Sequence, residues 1–420
     1  METVLKLKLG RDSLVANKDS DRASNSAATP FAAQREELVS QQIAAHADAA
    51  LERAKLGPVE YDNVRVFVDH HPALTPLDPR YAPQEDWNVD IAIPDIAIVG
   101  LAKAGTTQLW RLLVSHPDAI GFGPDNSKEF CLTPYDEWSA MVEYVWDKIP
   151  LNMINSVRRA RQHKLQKRLW EFFHNTFFKT KSAALKRERQ LSGKLSVNGC
   201  YFTWDVEIIR HYLLPFAKKK NQKYIVLLRD PADLLWSAYN FWKIPGWDRG
   251  GEGWAHAGQH YRSPEMFHEL LLSGNMTEWF GHEVHDYIKK TSIEGPRKLI
   301  GMFGAKNVLL LKNEDMLPSA VENEGGVLDQ LSSFTGLARS EFPRHMYSRV
   351  SNCNDKAMED CGESRSSSYH ISNDREMLPE SRTLVYLHFW EECKIWAQEF
   401  GIEFPDCLNV MEQPQVRRLT

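Results

Sequence analysis

From residue 91 onward, short runs of β-favouring apolar residues alternate with longer stretches whose apolar positions recur at helical spacing. IAIV at 96–99, YIVLL at 224–228 and VLLL at 308–311 are unbroken apolar runs, which suit strands covered on both faces. Between and after them the pattern predicts helices over 106–116, from about 232 to 242, within 264–303, and from about 381 to 400. Such alternation is the mark of a parallel sheet with helices packed on it. The expected fold is therefore α/β, in three layers around a central parallel sheet, over roughly residues 91–410.

The flanks read differently. Residues 1–30 are rich in Ser, Ala, Asn and Asp without apolar periodicity, the composition of a disordered leader. A segment dominated by Ala, Gln, Glu and Leu then predicts a helix from Phe31 to about Leu56, ended by Gly57-Pro58. Pro72, Pro76, Pro79 and Pro83 punctuate an extended stretch reaching Asp90, and residues 411–420 form a tail. No run of about 18 apolar residues predicts a membrane span, and no signal-peptide core is visible.

With 43% hydrophobic and 25% charged residues the chain has enough apolar surface for a large core. A net charge of −5 argues against a nucleic-acid partner, since such proteins carry a basic excess. Six cysteines are too few for a disulfide scaffold. One interval reverses the overall charge: from Arg158 to Lys194, twelve Lys and Arg residues face only Glu171 and Glu188. This basic helical insertion, about 138–195, is either a rim that attracts an anionic polysaccharide or a charged cofactor, or a solvated helical face.

The first chemical signal follows the first strand. In GLAKAGTT at 100–107, a strand, a tight turn and a helix would aim free backbone N–H groups and the positive helix end at an anion. Lys103, Ala104, Gly105, Thr106 and Thr107 make up this P-loop-like cradle. Gly105 admits a phosphate close to the backbone, the threonines add donors, and Lys103 adds a mobile charge. Nucleotide-hydrolysing P-loops place their Lys after the second Gly; here it lies two residues before Gly105, which argues against a kinase or nucleotidase. A second anchor lies in YIVLLRDPADLLWS at 224–237. Arg229 closes a strand, Pro231 opens a helix, and Ser237 sits about two turns into it. Arg229 offers a planar fork to a phosphate and Ser237 a hydroxyl.

On these two motifs, in this order, the chain resembles the sulfotransferases that use 3′-phosphoadenosine 5′-phosphosulfate (PAPS), and within them the carbohydrate, glycosaminoglycan-type branch. LAKAGTT is similar to that family's 5′-phosphosulfate loop, and Arg229 with Ser237 to its 3′-phosphate site. Lys128-Glu129, Tyr201-Phe202, VLLLKNEDM at 308–316 and the segment 377–401 extend the likeness over about 94–401.

The resemblance implies in-line transfer of a sulfuryl group from PAPS to an acceptor hydroxyl, with Lys103 stabilising the leaving phosphate and Glu129 as the base. Many glycosaminoglycan enzymes have a His two residues after that Glu, where this chain has Cys131; His116 and His211 are reserve bases. The family further implies a disulfide loop, matched by Cys353 and Cys361 as either a bridge or two thiols, and a basic lid over PAPS, matched only by Arg365. Its members lie in the Golgi lumen behind an N-terminal anchor; with no anchor visible here, a cytoplasmic enzyme is the other expectation.

The expected partner is a carbohydrate or other hydroxyl acceptor. The aromatics Trp236, Tyr239, Phe241, Trp242, Trp247 and Trp254 read either as a platform for sugar rings or as a buried cluster. His70-His71 lacks a ligand pattern, so no metal is expected. A non-catalytic nucleotide- or glycan-binding protein of the same fold is the main alternative.

Overall fold

The computed structural model describes residues 79–100, 103–123, 128, 166–201, 206, 209–241, 263–273, 288, 290–347 and 376–413. Its centre is a five-stranded, fully parallel sheet in the order β2-β3-β1-β4-β5. The strands are β1 (Ile96–Gly100), β2 (Ala119–Gly121), β3 (Leu195–Tyr201), β4 (Lys223–Leu228) and β5 (Val308–Lys312). Together with its helices this is a three-layer α/β fold of the expected class.

The unbroken apolar runs became β1 and β4, whose residues 96–99 and 224–228 are all buried, as both-face coverage demands. β2 and β3 were not foreseen. β2 has three residues, and β3 reads LSVNGCY, with Ser196 and Asn198 at buried positions where the pattern needs apolar ones. Ser196 is satisfied from outside its strand: its N–H and hydroxyl donate to Asp95 Oδ2 at 2.9 and 2.7 Å. That repayment lets a polar residue sit inside the sheet.

The principal helices are α1 (Thr106–Val114), α2 (Lys181–Leu191), α3 (Pro231–Phe241), α4 (Pro264–Ser273), α5 (Gly295–Phe303), α6 (Val327–Thr335), α7 (Pro379–Phe400) and α8 (Pro405–Leu408). α1 packs across β1, β2 and β3, while α7 packs on α3 and α4. α7 stops at Gly401, whose φ of 66° caps the helix in the left-handed region. A disulfide joins Cys393 of α7 to Cys407 of α8, both fully buried. The foreseen pair, Cys353 and Cys361, lies outside the described residues, as do residues 1–78 with His70-His71. Among the described residues, no helix is long and apolar enough to cross a membrane.

The strand order matters for function. After β1 the chain moves to one side of the sheet, and β4 lies on the other side of β1. In such sheets a crevice opens above the strand ends where the direction of winding reverses. The loop after β1 and the residue after β4 both reach that crevice.

The basic interval is partly interior. Leu169, Trp170, Phe173, Phe177 and Phe178 are buried. On α2, Arg187 is also buried, donating from Nη2 to Phe122 O and lying over the Phe122 and Phe177 rings at 5.4 and 5.6 Å. Burial lowers its pKa to about 10. Lys181, Lys186 and Arg189 of the same helix remain exposed.

Candidate functional site

The loop at 103–107 turns twice through the left-handed region within three residues: Lys103 has φ 70° and Gly105 φ 93°. For Lys103 that conformation costs about 1–2 kcal/mol, a strain typical of sites that hold a ligand. Asn313 also packs against Gly105. A β-carbon there would lie 2.0 Å from Asn313 Nδ2 and 3.2 Å from Asn313 Cγ. Gly105 is also the N-cap of α1 and has no side chain to cap it, an arrangement in which the opening N–H groups of a helix suit an anion. Ala104 is fully buried and anchors the loop. Thr106 is half-buried and Thr107 exposed.

The second anchor stands beside the first. Arg229 Nη1 donates to Lys103 O at 2.8 Å, which ties the end of β4 to the loop after β1. The Arg229 Nε–H is buried without a hydrogen-bond partner among the described residues. Lys128 is the third cation. Its stem packs against Gly199 of β3, where a β-carbon would lie 2.6 Å from Lys128 Cγ. Gly199 N–H donates to Lys128 O at 3.1 Å. Burial, then the charges of Arg229 and Lys128, lower the Lys103 pKa to about 8. Three cations pressed together in a half-buried crevice create a site that favours a multiply charged anion.

Arg229 rests on a buried polar framework. Asp230 caps α3, its Oδ1 accepting from Ala232 N–H at 2.9 Å and Asp233 N–H at 3.1 Å. Its Oδ2 accepts from the Tyr386 hydroxyl of α7 at 3.0 Å. Arg382, one turn earlier on α7, donates to Asp233 Oδ1 at 2.6 Å and to the Tyr386 oxygen at 3.1 Å. From the turn after β5, Glu314 Oε1 accepts the Asp230 N–H at 3.0 Å. Burial raises the Glu314 and Asp230 pKa values. Ser237, half-buried on the second turn of α3, belongs to the helix that this framework orients.

The sequence reading therefore located Lys103, Gly105 and Arg229, which the fold brings together, but assigned no role to Gly199, Asn313, Glu314, Asp230, Arg382 or Tyr386. The stretch KNEDM at the end of an apolar strand was the available signal, since a carboxylate that becomes buried there must find a partner. Glu129, Cys131 and Arg365 lie outside the described residues. His116 does not serve as a reserve base at this site. It sits at the opposite end of α1, with Nδ1 accepting from Asp118 N–H at 3.1 Å and Nε2 against Ala338 O at 3.1 Å. Asp118 and Glu341 place carboxylates near that ring, but both its nitrogens are already engaged. For His211 only the backbone is described.

The aromatic stretch contributes to the core: Trp236 and Tyr239 stack at 5.6 Å and meet Phe267 of α4 at 5.2 and 5.0 Å. The side chains of Phe241, Trp242, Trp247 and Trp254 lie outside the described ones.

Comparison with known proteins adds a family. A family model described as "Sulfotransferase domain" matches residues 93–378, which include both anchors. Among solved structures, the chain is similar to a sulfotransferase from Alicyclobacillus acidocaldarius, with 15% identity and a TM-score of 0.38. The likeness covers 75% of this chain and 99% of that one. No curated protein matches the chain.

Proposed function

This chain belongs to the sulfotransferase domain family, and from that premise we propose that it transfers a sulfuryl group from PAPS to an acceptor hydroxyl, most readily on a carbohydrate. The observation that carries the reading is the convergence of Lys103, Lys128 and Arg229 on one crevice. A donor with phosphates at both ends of its ribose requires two cationic anchors at fixed spacing, and the residues present fit that need. The loop N–H groups and Lys103 would hold the phosphosulfate end, and Arg229 with Ser237 the 3′-phosphate.

In the transfer, the acceptor oxygen bonds to sulfur as the bond from sulfur to the phosphate oxygen breaks. Lys103 neutralises the charge that develops on that leaving oxygen. Glu129, next in sequence to Lys128, takes the acceptor proton. Arg365 serves as the lid contact.

Exposed Lys181, Lys186 and Arg189 on α2 support an acceptor that is itself anionic, such as a polysaccharide. The buried Cys393–Cys407 disulfide supports folding in an oxidising compartment, consistent with a luminal enzyme of the secretory route.

Radiolabelled PAPS offered with a panel of glycans and small hydroxyl compounds tests the reading. Transfer by the wild type is expected to fall at least about 100-fold in Glu129→Ala, with adenosine 3′,5′-bisphosphate binding retained. Binding without transfer to any acceptor would instead assign a non-catalytic protein. Absence of bisphosphate binding in isothermal titration would refute the donor assignment.

A further inference from the structure

β5 lies beside β4 with Leu228 opposite Lys312, so the residues that follow each strand, Arg229 and Asn313, emerge at the same level. Asn313 N–H continues the ladder by donating to Leu228 O at 2.8 Å. From there two successive side chains reach in different directions. The Asn313 amide fills the space that a β-carbon on Gly105 would need, 2.0 Å from its Nδ2. Glu314 Oε1 takes the Asp230 N–H at 3.0 Å, and its charge interacts with Arg229. Glu314 Oε2 is buried with no hydrogen-bond partner among the described residues, as is Arg229 Nε. The same turn touches α1, because Gln108 Nε2 donates to Met316 O at 3.4 Å. One short segment thus abuts the phosphosulfate loop on one side and the backbone of the second anchor on the other.

We infer that Asn313 and Glu314 are positioning residues that set the distance between the two anion anchors, so that the site grips a bisphosphate as one ligand. This rests on the reading of PAPS as the donor. The physical reason is effective concentration. Once one phosphate is seated, the second binds intramolecularly, and its benefit depends on how closely the anchor spacing matches the ligand. A bracket that holds Gly105 and Asp230 from one turn controls that spacing without touching the ligand.

The test compares adenosine 3′,5′-bisphosphate with adenosine 5′-phosphate by isothermal titration. The bracket predicts that Glu314→Ala lowers the preference for the bisphosphate at least about tenfold, while 5′-phosphate binding stays within about threefold. Glu314→Gln, whose amide oxygen can still accept the Asp230 N–H, should restore most of the preference. Asn313→Ala carries the same expectation at about fivefold, and stands in for Glu314→Ala if circular dichroism shows that variant unfolded. Equal weakening of both ligands, or an unchanged preference in Glu314→Ala and Asn313→Ala, would overturn the inference. A wild type that binds neither ligand would fail at the donor assignment, a result distinct from the other two.

Discussion

The two anion anchors are built in opposite ways. The loop after β1 is local and made of backbone: a strained Lys103, a Gly105 in the left-handed region against Asn313, and the N-terminal turn of α1. The Arg229 anchor is a side chain held by distant partners. Glu314, Arg382 and Tyr386 come from 84 to 156 residues further along the chain than the groups they hold. A backbone cradle depends on the conformation of its own turns, with Arg229 and Asn313 against it. A side-chain anchor carries its charge anywhere, yet functions only while a buried framework orients it.

Breaking each half should therefore look different. The largest effect is expected for Gly105→Ala, which combines left-handed backbone strain of about 1–2 kcal/mol with displacement of the Asn313 side chain from its place against the loop. Titration should register at least about 100-fold weaker binding of adenosine 3′,5′-bisphosphate and of 5′-phosphate alike. Next, Arg229→Ala should weaken bisphosphate binding by about 2–3 kcal/mol, or 30- to 150-fold. It should affect 5′-phosphate much less; equal losses would mean that Arg229 serves the loop rather than a second phosphate.

Removing support instead of charge should be milder. Tyr386→Phe leaves Asp230 Oδ2 without its donor and is expected to lower stability by about 1–2 kcal/mol in urea denaturation, with a binding loss of about threefold. A loss of binding as large as that of Arg229→Ala would show that α7 reaches the ligand directly.

The smallest effect concerns Lys103. Its folded pKa of about 8 lies below the unfolded 10.5, so between those values the unfolded chain holds more protons. The Lys103 contribution to the stability of the ligand-free protein should then rise with pH across that window. Lys103→Met should remove that contribution and stabilise the ligand-free protein near pH 7 by about 1 kcal/mol, a melting shift of about 2–4 °C, while weakening bisphosphate binding. Since deprotonation removes a ligand charge, wild-type affinity should fall as pH passes about 8.

The same contrast explains what was legible beforehand. β1 and β4 were plain because their burial is apolar, half-buried β5 because it too is an unbroken apolar run, and the 103–107 loop because strand, glycine and helix adjoin in sequence. β3 was hidden because Ser196 and Asn198 occupy buried positions, an exchange that works only once Asp95 is beside Ser196. Cys393 and Cys407 gave no sign of pairing, since they lie in two different helices that only the fold brings together. Arg187, one of twelve basic residues in its interval, could not be told from the exposed ones until Phe122 and Phe177 were found around it.

By itself, the order of residues determined the alternating α/β build, the turn that aims N–H groups at an anion, and the Arg at a strand end, because each depends on neighbours within one or two turns of chain. Only the tertiary structure decided that Lys103, Lys128 and Arg229 lie near one another, and that the turn after β5 meets both Gly105 and Asp230. The interactions responsible are between groups far apart in sequence, and their strength comes from burial that no local pattern encodes.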